Sequence, residues 1–248
     1  MRLFKYGWKR DHLDRRNRKF CRAPIPLPVS VDWTAQLPPA YDQGKLGSCT
    51  ANAIAGAVQF LQAIHPEPVI MPSRLFIYWN ERDMEGSTDS DSGAEIMDGI
   101  KSVNSKGVCP ESEWPYDDAS LTIKPPPNCY EDASKELLLQ YESVDNTVLN
   151  DLLAALAQGP VVGGFSVYES FESDAVAASG VVPMPSANEV MVGGHAVLVI
   201  GYDQALKIFK VRNSWSLYWG DNGSFTVPFA YFTDGDLASD FWLCQKVS

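Results

Sequence analysis

The sequence predicts an α+β fold of two lobes. Three observations carry that expectation: helical periodicity is confined to the first half of the chain, strand-like runs to the second, and a triple proline falls between them. The first helix is expected over 48–64. Ser48 stands at its cap, and Ala53, Ala57, Phe60, Leu61 and Ile64 recur at helical spacing until Pro66 stops it. A second helix over 73–82 carries Leu75, Phe76, Tyr78 and Trp79, and a third over 94–105 closes at Gly107. Pro125-Pro126-Pro127 is expected to break the chain and mark the lobe boundary. One more helix, 146–158, puts Leu149, Leu152, Leu153 and Leu156 on a face and ends at Gly159-Pro160. Runs 161–167, 195–202, 207–212 and 223–227 are β-branched or alternating and bounded by Gly, Asn and Asp, so they read as strands.

With 248 residues the chain suffices for one large domain or two lobes sharing a cleft. Hydrophobic residues at 45% and charged residues at 21% predict a soluble globular protein. No run is apolar and long enough to span a membrane, and the charged N-terminus lacks the apolar core of a secretion signal. The compartment stays open between the cell interior and export by another route. The net charge of −11 argues against nucleic-acid or anionic-membrane partners for the body. That total is uneven: residues 1–28 carry +7, and residues 29–248 carry −18. Residues 1–28 therefore read as a basic arm, extended through its proline-rich end, with a Coulombic reason to lie on the acidic body. A freely solvated tail is the competing reading.

Gly47-Ser48-Cys49 places a thiol in the first turn of the best-patterned helix, where N–H groups and the macrodipole stabilise a thiolate. A small buried hydrophobe is the alternative for any single cysteine. Of the three histidines, His195 follows Gly193-Gly194 and opens an apolar strand, which suits a ring facing a cleft; a satisfied core histidine competes with that reading. Asn213 ends the next strand and has an amide that can orient an imidazole, or simply form a turn. Gln43, six residues before Cys49, offers an N–H₂ donor for an oxyanion, or is a surface glutamine. The other cysteines (Cys21, Cys109, Cys129 and Cys244) form no CxxC pair and no zinc-like spacing, and their pairing stays open. The histidines are scattered, so no metal and no cofactor is expected.

The joint order of these residues is more specific than any one of them. Residues 43–49, Gln-Gly-Lys-Leu-Gly-Ser-Cys, resemble the glutamine-to-cysteine segment of the papain and cathepsin family. Gly194-His195-Ala196-Val197 with Gly201-Tyr202 resembles its histidine strand, and Asn213-Ser214-Trp215 with Trp219-Gly220 and Gly223 its asparagine segment. Val31-Asp32-Trp33 resembles the family's mature start. His195 lies 146 residues and Asn213 164 residues beyond Cys49, against about 130–150 in the family. The resemblance runs from about residue 29 to the end. It implies a papain-like catalytic domain over 29–248, with a mainly helical lobe to about 140, a mainly antiparallel β lobe from about 141, and the active-site cleft between them.

The resemblance also implies a cysteine endopeptidase acting as a monomer on protein or peptide substrates. Cys49 would be the nucleophile that forms a thioester acyl-enzyme, and His195 its base. Asn213 would orient His195, with Trp215 shielding that contact, and Gln43 with the Cys49 N–H would bind the oxyanion. Gly93 and Gly194 would line the substrate groove. Arm 1–28 would stand in the place of a pro-segment and hold activity down until displaced or cut. Five positions depart from the pattern: Leu46 and Ala94 replace the halves of a family disulfide, Thr50 stands where the family has an aromatic after the nucleophile, and the groove's paired glycines align with Ile96-Met97. An acyl transferase using the same residues and a non-catalytic binding protein on this scaffold are the alternatives.

Overall fold

The computed structural model describes residues 5–23, 26–65, 68–135 and 139–246. Three sequence expectations, on Arg2 of the arm, on the extended course through Pro24 and Ile25, and on the stop at Pro66, lie outside them. The helices are α1 (Cys49–Ala63), α2 (Arg74–Met84), α3 (Ile96–Lys106), α4 (Pro127–Ala133), α5 (Leu149–Leu156), α6 (Asp174–Ser179) and α7 (Phe229–Phe232), with short 3₁₀ turns elsewhere. The strands are β1 (Trp8–Lys9), β2 (Ser30–Asp32), β3 (Ala94–Glu95), β4 (Leu139–Val144), β5 (Val161–Tyr168), β6 (Met191–Asp203), β7 (Ile208–Arg212), β8 (Ser224–Pro228) and β9 (Ala238–Lys246). No helix among the described residues is long and apolar enough to cross a membrane.

Helix α1 is buried along its whole length from Cys49 to Gln62. A helix enclosed on every side belongs in the middle of a molecule, and α1 packs on α2 and α3 on one flank and on β6, β5 and β9 on the other. Gly56 lets it come close to the sheet, since a Cβ there would stand 3.1 Å from Leu198 Cδ2. The sheet runs β4-β9-β5-β6-β7-β8 with every pair antiparallel, and β2 adds to β6. Alternation along β6 sorts its side chains between two cores. Ala196, Leu198 and Ile200 join the helical lobe, while Val197 and Val199 join an aromatic core with Phe165, Phe209, Phe225 and Phe232 on the opposite face. The fold is thus α+β in two lobes, with α1 wedged between them.

Local details differ from the sequence reading. The triple proline does not end the helical lobe. Pro127 opens α4, whose Cys129 and Ala133 are buried in the helical-lobe core, because proline's fixed φ suits the first helical position and its missing N–H is not needed there. Ser48 makes no side-chain cap bond. Its hydroxyl meets Tyr116 Oη, and it accepts from Asn52 Nδ2 at 3.1 Å. Strands β4 and β9 were not foreseen. In β9 Phe241, Trp242, Leu243 and Cys244 are all buried, so no alternation betrays the strand.

The arm follows the body from residue 5 to residue 23. Strand β1 pairs in parallel with β3, Lys19 bridges to Ser143, and Phe20 is buried in the second core. Because Leu198 faces α1 across the lobe junction with 1% exposure, Leu198→Ala should lower unfolding free energy by about 2–5 kcal/mol, measured as a shifted denaturant midpoint at unchanged m-value.

Candidate active site

The N-terminus of α1 meets β6 one residue past its histidine. The backbone N–H groups of Ala196, of Thr50 in the first turn of α1, and of Gly7 in the arm lie around the Cys49 thiol and favour its ionised form. His195 and Cys49 are both fully buried. Asn213 closes β7, and its Oδ1 accepts from Ser214 N at 2.8 Å. That donor can only donate, so it fixes which end of the amide is oxygen. The same Oδ1 lies 2.8 Å from His195 Nε2, which must then carry the proton. Nδ1 is left with its lone pair and no hydrogen-bond partner. Trp215 stacks on the imidazole at 5.0 Å and 28°, and is 1% exposed, so it covers the His195–Asn213 contact from water. Phe165, Phe171 and Tyr6 complete an aromatic enclosure around the ring.

Gln43 is fully buried, not a surface glutamine. Its N–H and carboxamide oxygen are tied to Ser214, by a 2.9 Å backbone bond and a 2.6 Å bond from Ser214 Oγ. This leaves Nε2 to donate to Leu46 O at 3.0 Å and to Lys5 O at 3.1 Å. Gln43, Cys49, His195, Asn213 and Trp215 thus come together, and the arm residues Lys5, Tyr6 and Gly7 lie across them.

Both glycines expected along a substrate groove face the arm. Gly93, at φ +72°, is packed on Gly7, and a Cβ on it would lie 2.1 Å from Gly7 O; a Cβ on Gly194 would meet Trp8 at 2.8 Å. Gly7 itself is squeezed between strands of chain, since a Cβ there would stand 1.7 Å from Gly47 O. Ile96 and Met97 are the positions expected to align with the groove's paired glycines. Both side chains are fully buried in the first turn of α3, and the backbone edge beside the arm is Ala94–Glu95, with Ala94 N donating to Gly7 O at 2.8 Å. Leu46 and Ala94, which replace a family disulfide, both lie in the helical-lobe core.

Sequence reasoning missed Tyr6, Trp8, Glu172 and Asp240. Tyr6 Oη donates to Glu172, and Trp8 Nε1 donates to Asp240 Oδ2 at 3.1 Å. Aromatic residues in an otherwise basic arm were the available signal. All five cysteines are free. Among the described residues, two groups of side chains bring three candidate metal ligands within 4.8 Å of one another, Cys109 with Glu113 and Cys129, and His12 with Glu95 and Asp98. Neither includes Cys49 or His195.

Burial sets the protonation of the pair. It pushes the Cys49 thiol up to about 11, against the three N–H groups that favour the thiolate. It pulls the His195 imidazole down to about 4, against the hydrogen bond that Nε2 donates to Asn213 Oδ1. Beneath the arm the pair is therefore a neutral thiol beside a neutral imidazole.

A cysteine on a central helix, facing an imidazole strand across a two-lobed cleft, is the arrangement of a cysteine hydrolase. The pattern of the papain family cysteine protease matches residues 27–232, and the chain belongs to that family. It is similar to an uncharacterized peptidase C1-like protein of Acanthamoeba polyphaga mimivirus, at 47% identity over 84% of this chain and 70% of that one. Mouse pro-cathepsin H is 27% identical over 84% of this chain and 62% of its own length. The structure is similar to that of xylellain, a cysteine protease from Xylella fastidiosa, with a TM-score of 0.91 and 39% identity over 98% of this chain and 96% of that one.

Because the arm supplies much of the burial, the His195 ring should titrate near pH 4 in the full chain. Removing residues 1–28 should move that titration up toward the ordinary 6.5 or beyond, read from the imidazole proton shifts by NMR.

Proposed function

We propose that this papain-family cysteine peptidase is an endopeptidase held inactive by its own arm. The carrying observation is that Nδ1 of His195 keeps its lone pair while Asn213 holds Nε2, one residue from the N–H that meets the Cys49 sulfur. In this reading Nδ1 takes the Cys49 proton once water and substrate replace the arm. The thiolate attacks the scissile carbonyl carbon, and the oxyanion is held by Gln43 Nε2 and the Cys49 N–H. The imidazolium then protonates the leaving amine. The resulting thioester is hydrolysed by water activated at Nδ1, which restores the thiol. Asn213 and Trp215 keep the ring oriented and its Nε2 contact dry.

The arm supports the inhibited state in three ways. The Lys5 carbonyl takes the Nε2 donor of Gln43 that the oxyanion would need. The Cys49 sulfur faces the Gly7 N–H, which offers no electrophilic carbon, so the arm lies across the nucleophile without presenting a bond to cut. Lys5 with Asp91, Lys9 with Glu85, His12 with Glu95 and Arg18 with Glu142 tie basic arm groups to the acidic body. These pairs are half-exposed on the arm side and contribute about 0.2–1 kcal/mol each at most. Trp8, 8% exposed, contributes more, about 4 kcal/mol if ~150 Å² is buried at ~25 cal/mol per Å². Apolar anchoring is dominant, and charge adds a component that salt weakens.

Deleting residues 1–28 should raise hydrolysis of fluorogenic peptides, with the larger ratio to full-length protein at low salt; equal rates would remove the arm from the account. In the deleted form Cys49→Ala should abolish turnover and His195→Ala nearly so. Asn213→Ala should cost less, because it orients and does not react. Equal, small losses for all three would contradict the assignment, provided circular dichroism shows each variant folded.

A further inference from the structure

Away from the cleft, one cluster in the helical lobe has the composition of a metal centre. Cys109 follows α3, and Glu113 lies four residues on, in a turn whose Glu113 N and Trp114 N both bond to Pro110 O. Cys129 comes from the first turn of α4. The two sulfurs and a carboxylate oxygen of Glu113 lie within 4.8 Å of one another. Both cysteines are fully buried, and Cys129 Sγ donates to Glu113 O at 4.0 Å. Glu113 Oε2 is buried and has no hydrogen-bond partner among the described residues. Cysteine spacing alone hides the cluster, because a glutamate completes it.

That carboxylate oxygen calls for a partner, since a buried acceptor without a donor has lost its water for nothing. A pair of thiols gives no reason to hold a carboxylate against them. A divalent cation does, because it joins all three atoms through one centre. Zinc fits this donor set, taking thiolate sulfur at about 2.3 Å and carboxylate oxygen at about 2.0–2.2 Å. Tetrahedral bonds of those lengths set ligand atoms about 3.4–3.8 Å apart, which side-chain rotation reaches from the present span. Two thiolates select against magnesium and calcium, and the carboxylate selects against copper(I). Asp132, three residues beyond Cys129 on α4, stands beside the Glu113 carboxyl and is itself paired with Lys135. It orients Glu113 from outside the ligand set.

We infer that Cys109, Glu113 and Cys129 bind one zinc ion, with water as the fourth ligand, and that the ion staples α4 to the turn after α3. Binding exchanges protons for metal: zinc forms a bond to each sulfur, the two thiol protons pass to solvent, and no oxidation state changes. The staple gives the helical lobe a crosslink where Leu46 and Ala94 have replaced a family disulfide. The turn it holds leads toward Gln43. Cys109 O accepts Ser73 N, at the start of α2, at 2.8 Å. Glu111 in the same turn pairs with Arg74, which donates to Asp42 O beside Gln43.

The test uses the full chain carrying Cys49→Ala, so that the thiol of the cleft holds no metal. After reduction and metal stripping, zinc(II) should bind at one ion per chain, read by elemental analysis, and should raise the thermal midpoint. Cobalt(II) in its place should give a sulfur-to-metal charge-transfer band in the near ultraviolet. Cys109→Ser and Cys129→Ser should each abolish that band. Glu113→Gln should weaken zinc binding by about 10- to 100-fold, and its half-buried position keeps the test available if the serine variants do not fold. His12→Ala, in the other ligand-like group, should leave binding as it was. No zinc bound, binding that survives Cys109→Ser or Glu113→Gln unchanged, or loss in His12→Ala would overturn the site. A Cys109–Cys129 disulfide that forms in air as fast with zinc present as without it would overturn it too, and would mark the two thiols as a redox pair.

Discussion

The contact on which the site depends is the seating of Cys49 against β6, where the Ala196 N–H favours the ionised form of the thiol. It joins the first residue of α1 to the strand that carries His195, and so fixes where the two lobes meet. Helix α1 cannot slide, because it is buried from Cys49 to Gln62 and Gly56 seats it on Leu198. Strand β6 cannot rotate, because its alternate side chains are committed to two separate cores. A one-residue slip of β6 would exchange those faces and carry the imidazole away. The placement of Cys49 and His195 is thereby a consequence of packing across the whole molecule.

How much of this was legible in the sequence depends on what kind of signal each residue leaves. Cys49 starts α1 and His195 opens the apolar run of β6, and Asn213 and Gln43 lie at short, family-like distances from landmarks, so local reading singled them out. The helices α1, α2, α3 and α5 announce themselves by spacing. Strand β9 does not, because Phe241 to Cys244 are buried on both faces and the run has no polar rhythm. Pro127 was misread because proline breaks a helix in its interior and starts one at its first position, and only the fold says which applies. Ser48 could cap α1 by type, yet its hydroxyl goes to Tyr116, a partner sixty-eight positions away that no local window contains. Trp8 and Asp240 meet across 232 positions, and nothing in either neighbourhood points to the other.

Second contacts hold the elements that carry Gln43 and Cys49 in place. Arg74, 7% exposed, pairs with Glu111 at 2.6 Å and donates to Asp42 O and Asn52 Oδ1, which joins α2 to the Gln43 loop and to α1. Tyr116 Oη donates to Gln43 O at 2.9 Å from the far side. Arg82 donates to the carbonyls of Tyr78, Thr88, Ser90 and Leu121, and so pins the loop that ends in Gly93. Each of these charges is largely buried and saturated by fixed acceptors, the condition under which a buried guanidinium gives rigidity without an uncompensated cost.

In the proposed reading one segment accomplishes two things that are physically a single act. Covering the cleft excludes substrate, and the same exclusion of water moves the thiol and imidazole apart in proton affinity until neither is charged. An inhibitor that only blocked access would leave a reactive thiolate beneath it, ready to attack the nearest carbonyl. This arm presents an amide N–H to the sulfur and keeps the Lys5 carbonyl on Gln43. The route between Gly47 and Gly93 admits a segment only where it has no side chain, and Gly7 is that residue. Position is therefore specified by the one glycine, affinity chiefly by Trp8, and chemical silence by the dryness that both create. Losing any of the three would restore at least the charge pair, and with it the capacity to react.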